Sequence, residues 1–150
     1  MLYYRLTPDD ISGKLIDPKI PSNFMTSIGA EDDSIPRICV CPSIEHCILA
    51  VPMKAKGVEY FVNVIDVDEP TIMFPDSAQV PDQKITKEAW IIDPIEMTCL
   101  GKIQLTGLNH HLNPHRYDYY NRAENCMCSG YLYHWSYIWT EGGILEQEVN

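Results

Sequence analysis

The chain has 150 residues, 45% of them apolar, and a formal net charge of −10 at neutral pH. That length suits one domain with a sizeable core. No apolar run approaches the roughly 18 residues of a membrane span. The opening MLYYRLTPDD lacks the basic and apolar regions of a secretory signal, so a cytoplasmic location is expected. Lys and Arg total 11 against 21 Asp and Glu, with no basic cluster. Direct binding to nucleic-acid phosphates is therefore disfavoured, and the acidic surface serves solubility or steering toward a basic protein partner.

In chain order, Leu2, Tyr4 and Leu6 alternate with Tyr3 and Arg5, which predicts a first strand over LYYRLT. Thr7, Pro8, Asp9, Asp10 and Gly13 carry the cap, first-turn and closing residues of a short helical turn. Residues 14–36, interrupted by Pro18, Pro21 and Pro36, read as a long loop. RICVC predicts a second strand. It runs into a helix with Ile44, Cys47, Ile48 and Val51 on one face, Ser43 as N-cap and Pro52 limiting its end. VEYFVNVID predicts a third strand with Val58, Tyr60, Val62 and Val64 on one face.

The stretch DEPTIMFPDSAQVPDQ reads as loop with a short strand at Thr71–Phe74. EAWIID and MTCLGKIQL predict two further strands, joined through Pro94. Up to Gly107 the pattern is α+β with a β core and short helices. Beyond it the chain turns polar and aromatic, which divides a single domain into a core, 1–107, and a C-terminal extension, 108–150. YLYHWSYIW would place Tyr131, Tyr133, Trp135, Tyr137 and Trp139 along one face of a strand.

Without an export signal, the six cysteines are expected as reduced thiols. Cys39 and Cys41 share one strand face and Cys47 lies on the helix stripe, the pattern of small buried hydrophobes. Cys41 also stands just before a helix N-terminus with His46 nearby, an arrangement that can activate a thiol. His110, His111 and His115, followed by Cys126 and Cys128, bring zinc-type donors together. Their spacing matches no C-x-x-C or H-E-x-x-H framework, and a His-rich surface loop with buried thiols is the preferred explanation, so no metal site is assigned. G-x-S-x-G, Gly-rich phosphate loops and G-x-G-x-x-G are absent.

A dispersed set remains: Arg5 and Thr7 on or after the first strand, Ser43 at a strand-to-helix junction, and Glu88 opening an apolar strand. Each has a plain explanation as an exposed strand residue, a helix cap or a solvated strand end. In order along the chain, YYRLTP, RICVCPSIEHCILAV and KITKEAWIIDPIEMTCLGKIQLTG resemble the successive elements of small ADP-ribosyltransferase-like domains over residues 2–107. The chain is also similar to small proteins of bacteria and their phages or mobile elements.

The resemblance implies two small sheets with an NAD cleft between them and NAD as substrate. It puts Glu88 at the catalytic position. Arg5 would hold a phosphate or ribose oxygen, Thr7 and Ser43 would orient the nicotinamide ribose, and Tyr60, Tyr4 or Trp90 would stack on the ring. It implies a host or bacterial protein as target. Two residues before Glu88 stands Thr86, so the Q-x-E or E-x-E pair of arginine-modifying members is absent. The competing expectation is a non-enzymatic acidic binding protein that occludes a basic partner, anchored by the aromatic stripe.

Overall fold

The computed structural model describes residues 1–143, so residues 144–150, the end of the expected extension, lie outside the described residues. In chain order the elements are β1 (Leu2–Thr7), β2 (Leu15–Ile16), α1 (Phe24–Ser27), β3 (Ile38–Val40), α2 (Ile44–Ala50), β4 (Glu59–Asp66) and β5 (Ile72–Met73). There follow α3 (Gln83–Thr86), β6 (Ala89–Ile91), β7 (Ile95–Glu96), β8 (Thr98–Leu108), β9 (His115–Asn121), β10 (Cys126–Leu132) and β11 (Trp135–Gly142). The class is α+β and rich in strand. A four-stranded antiparallel sheet, β1-β4-β8-β11, is accompanied by a three-stranded sheet, β3-β6-β5, and by the ribbons β2-β7 and β9-β10. Among the described residues no helix is long and apolar enough to cross a membrane.

Strand alternation sorts the side chains. Leu6 stands opposite Val62, and these join Tyr60, Ile103 and Leu105 on one face of the large sheet. There they pack on Ile44, Cys47 and Ile48, the stripe of α2. The N-cap Ser43 accepts from the His46 amide, and Val51, extended before Pro52, ends the helix. On the other face Tyr3 packs into a second core with Ile38, Val40, Ala89 and Ile91 of the small sheet. Two hydrogen bonds tie the sheets together, Tyr4 N to Cys41 O at 2.8 Å and Cys41 N to Tyr4 O at 2.9 Å.

Several expectations are corrected. The helical turn over TPDDISG is absent: Thr7 ends β1 and its hydroxyl donates to the Asp9 carbonyl. The loop over 14–36 contains α1, held by a capping box between Asn23 and Thr26. YLYHWSYIW is not one strand, because the chain turns between β10 and β11 at Tyr133 and His134. Trp135, Tyr137 and Trp139 pack against the first core from β11, while Tyr131 and Tyr133 stay 53% and 48% exposed. The extension therefore supplies the fourth strand of the large sheet and a hairpin. All six cysteines are free thiols.

Candidate functional site

Glu88 owes its position to the turn before it. Lys87 adopts a left-handed conformation, φ 57°, which ends α3 and reverses the chain into β6. The Glu88 amide then donates to Thr86 Oγ1 at 3.3 Å. Its side chain is not a solvated strand end, for the residue is only 8% exposed. Glu88 and Trp90 occupy alternate positions and so share a face, and Trp90 Nε1 donates to Glu88 Oε2 at 2.9 Å.

Trp90 is fully buried under Arg37, whose guanidinium carbon sits 4.0 Å from the ring centroid. That guanidinium faces Glu31 at 3.7 Å and Asp32 at 3.8 Å, and donates to the carbonyls of Asp32 and Ile35. Its Nε and Nη2 have no hydrogen-bond partner. With Arg37 on its face, Trp90 offers no free surface for a ligand ring to stack on.

Burial pushes the Glu88 carboxyl up to about 7; the Trp90 bond and Arg37 oppose this, while Glu31 and Asp82 add repulsion. Asp82 is raised to about 6, by burial first and then by Glu31. Glu31 is itself raised by burial. The hairpin β9-β10 flanks this acidic region. Arg122 N donates to Ile28 O at 2.9 Å, and the Tyr117 phenol is raised by burial and by Asp82 and Glu31. A groove of about 500 Å³ opens beside it, lined by Glu31, Asp32, Asp33, Asp76 and Arg122 among others.

The remaining candidates sit on the first strand, at the start of α2 and in the first core. Arg5 Nη1 donates to the Cys39 carbonyl at 2.9 Å, and Cys39 lies directly across from Trp90. Burial pushes the Cys39 thiol up to about 12, with Glu88 adding to the rise and Arg5 and Arg37 opposing it, so both Arg5 and Glu88 act on this one group. Thr7 shares the sheet face of Arg5. The Asn63 amide bridges them, donating to Arg5 O at 3.1 Å and Thr7 Oγ1 at 3.0 Å. Ser43 Oγ lies 2.6 Å from His46 Nδ1, and Lys87 acts on His46, so the start of α2 adjoins the turn that carries Glu88. Tyr60 faces the other way, into the first core, and donates to the Met53 carbonyl beyond the far end of α2.

Cys41 is no nucleophile. It is 3% exposed, and a hydrogen bond with Cys47, then burial, push its thiol far up. His46 is bonded to Ser43 rather than to Cys41. The His and Cys donors after Gly107 do not form one cluster either. His115 pairs with Leu132 at one end of the hairpin and Cys126 with Asn121 at the other, six residues and about 20 Å apart. His115 instead meets His134, Nε2 to Nε2 at 2.9 Å. Among the described residues no three His, Cys, Asp or Glu side chains gather closely enough to hold a metal.

Arg37, Glu31 and Asp82 complete the surroundings of Glu88 and were not singled out from sequence. The available signal was Arg37 itself, a cation entering an apolar strand directly after the acidic stretch AEDDSIP. Comparisons with protein-family models, curated proteins and solved structures return no match.

Proposed function

We propose that this chain is an ADP-ribosyltransferase-like protein that takes NAD as substrate and modifies a protein target, with Glu88 as the catalytic carboxylate. The observation that carries the proposal is a buried carboxyl without a counter-ion at ion-pair distance among the described residues. Arg37, the cation whose field reaches Glu88, is engaged by Glu31 and Asp32. A buried, uncompensated carboxylate is costly in the resting protein. It is complementary to positive charge that appears only during reaction.

Breaking the nicotinamide–ribose bond of NAD creates that charge. Nicotinamide leaves as a neutral molecule with the bonding electron pair, and the cation stays on the sugar. A target nucleophile adds to the sugar carbon and loses its proton to solvent. Glu88 stabilises the cation and accepts from a ribose hydroxyl. Arg5, on β1 of the other sheet, binds a phosphate or ribose oxygen by charge-assisted hydrogen bonds. Thr7 and Ser43 orient the ribose. Tyr60 is left out, because its ring fills the first core.

The test is NAD binding by saturation-transfer NMR and thermal shift, followed by transfer of labelled ADP-ribose to proteins of a bacterial lysate. Transfer should rise as pH passes through about 7, where Glu88 ionises. Glu88→Gln should abolish it while the fold persists. A Glu88→Gln protein that transfers at near wild-type rate rejects the proposal, as does the absence of any response to NAD.

A second reading rests on a different surface. Tyr120, Met127 and Tyr131 lie exposed on one face of the hairpin, and the chain carries a net charge of −10. Such a face suits an acidic binding protein that occludes a basic partner, with tyrosines as anchors. Pull-down of a stoichiometric basic partner, lost on Tyr131→Ser, would support it.

A further inference from the structure

The hairpin carries a second constellation, at the end where β9 turns into β10. Cys126 and Cys128 occupy alternate positions of β10 and so share one face of the ribbon. Their Sγ atoms lie 3.6 Å apart. Cys126 is exposed and Cys128 half-buried. That is unusual for free cysteine, which ordinarily behaves as a small buried hydrophobe, as Cys41 and Cys47 do in this chain. Neither thiol completes a core, and neither is consumed by a disulfide. Tyr119 stands directly across from Cys128, and Glu124, in the turn between the strands, acts on Cys126.

The separation matches a chelate. A d¹⁰ ion bound to thiolates at about 2.3 Å with tetrahedral angles spaces its two sulfurs by about 3.8 Å. The observed 3.6 Å needs only a small adjustment of side-chain torsions to reach that value. The pleat of a single strand holds both donors, so no rearrangement of the hairpin is required.

We propose that Cys126 and Cys128 form a two-thiolate chelate for a soft d¹⁰ metal ion, with Zn(II) as the representative case. On binding, each thiol releases its proton to solvent, two metal–sulfur bonds form, and two waters leave the ion. No electron transfer occurs. The remaining positions on the ion are filled by solvent, so the site is open to an external ligand.

The test uses the whole chain, kept reduced by a phosphine, and titrated with Co(II) as a spectroscopic stand-in and then with Zn(II). One equivalent of Co(II) should bind with a thiolate-to-metal charge-transfer band, and Zn(II) should displace it. Cys126→Ser and Cys128→Ser should each weaken binding by at least about tenfold. The double serine variant should lose the band while its far-UV circular dichroism stays unchanged.

Absence of the band overturns the proposal, and so does a band that persists in the double variant. Metal uptake that is lost in His134→Ala but kept in the double serine variant assigns the ion to the His115–His134 pair and overturns it as well. Should the double variant fail to fold, protection of Cys126 and Cys128 from alkylation by Zn(II), read by peptide mass spectrometry on the unaltered chain, decides the matter. Unprotected thiols then reject the chelate.

Discussion

Trp90 holds Glu88. The indole N–H donates to the carboxyl at 2.9 Å from two residues further along the chain, and the Arg37 guanidinium lies over the ring, 4.0 Å from its centroid. A single tryptophan thus contacts both the acid and the guanidinium. Replacing Trp90 by Phe should remove the one donor that lowers the Glu88 carboxyl. The carboxyl should then titrate above about 7, and the protein should lose roughly 1–3 kcal/mol for an unsatisfied buried acceptor. Chemical denaturation and a carboxyl NMR titration measure the two effects.

The same carboxyl makes stability depend on pH in a definite direction. Glu88 ionises near 4.5 when free and near 7 in the folded protein, so the folded state holds its proton more tightly. Its contribution is present below 4.5 and is lost as pH rises to about 7. Asp82, raised from 3.8 to about 6, acts in the same sense. His46, lowered by burial, acts in the opposite sense and offsets part of the gain in acid. Urea unfolding should find the protein more stable at pH 5 than at pH 8, with roughly 2–3 kcal/mol attributable to Glu88. In Glu88→Gln that portion of the difference should disappear.

Arg37→Ala should be among the most damaging single changes. It strands Glu31 and Asp32 and uncovers Trp90. The loss expected for removing one partner of a buried ionic group is about 3–5 kcal/mol. Arg37→Lys should restore little of it, since an ammonium neither stacks on the indole nor spans two carbonyls. Thermal and urea unfolding of both variants provide the check.

Gly130 is required for contact reasons. A Cβ there would sit 2.5 Å from the Tyr117 ring, which lies over the glycine from the paired strand. Gly130→Val should cost about 1–3 kcal/mol by overpacking. Combining it with Tyr117→Ala should recover part of that cost, and a double-mutant cycle on thermal stability reads the coupling directly.

The elements that sequence reasoning located are those whose period matches a buried face. β1, β4 and β8 alternate against α2, and the Ile44–Cys47–Ile48 stripe is the stripe that packs. The hairpin β9-β10 escaped notice because neither of its faces enters a core before Leu132 and Asn121, leaving its alternation polar and aromatic rather than apolar. Glu88 was legible as a charge at the head of a strand. Its surroundings were not, since Glu31 and Asp32 come from an aperiodic loop and Asp82 from a helix of one turn. Tyr60 shows the limit of a period of two. Alternation groups Tyr60 with Val62 and opposes it to Asn63, but it does not tell which of the two faces meets Arg5 and which meets the helix.

The order of the large sheet, β1-β4-β8-β11, is also the order in which its strands leave the ribosome. Each new strand docks on the edge left open by the one before, and none must be inserted between partners already paired. β8 presents that open edge until residues 135–142 have been made. During synthesis, and in any chain cut short before Trp135, an eleven-residue strand bearing Ile103 and Leu105 would be a ready template for pairing with another copy.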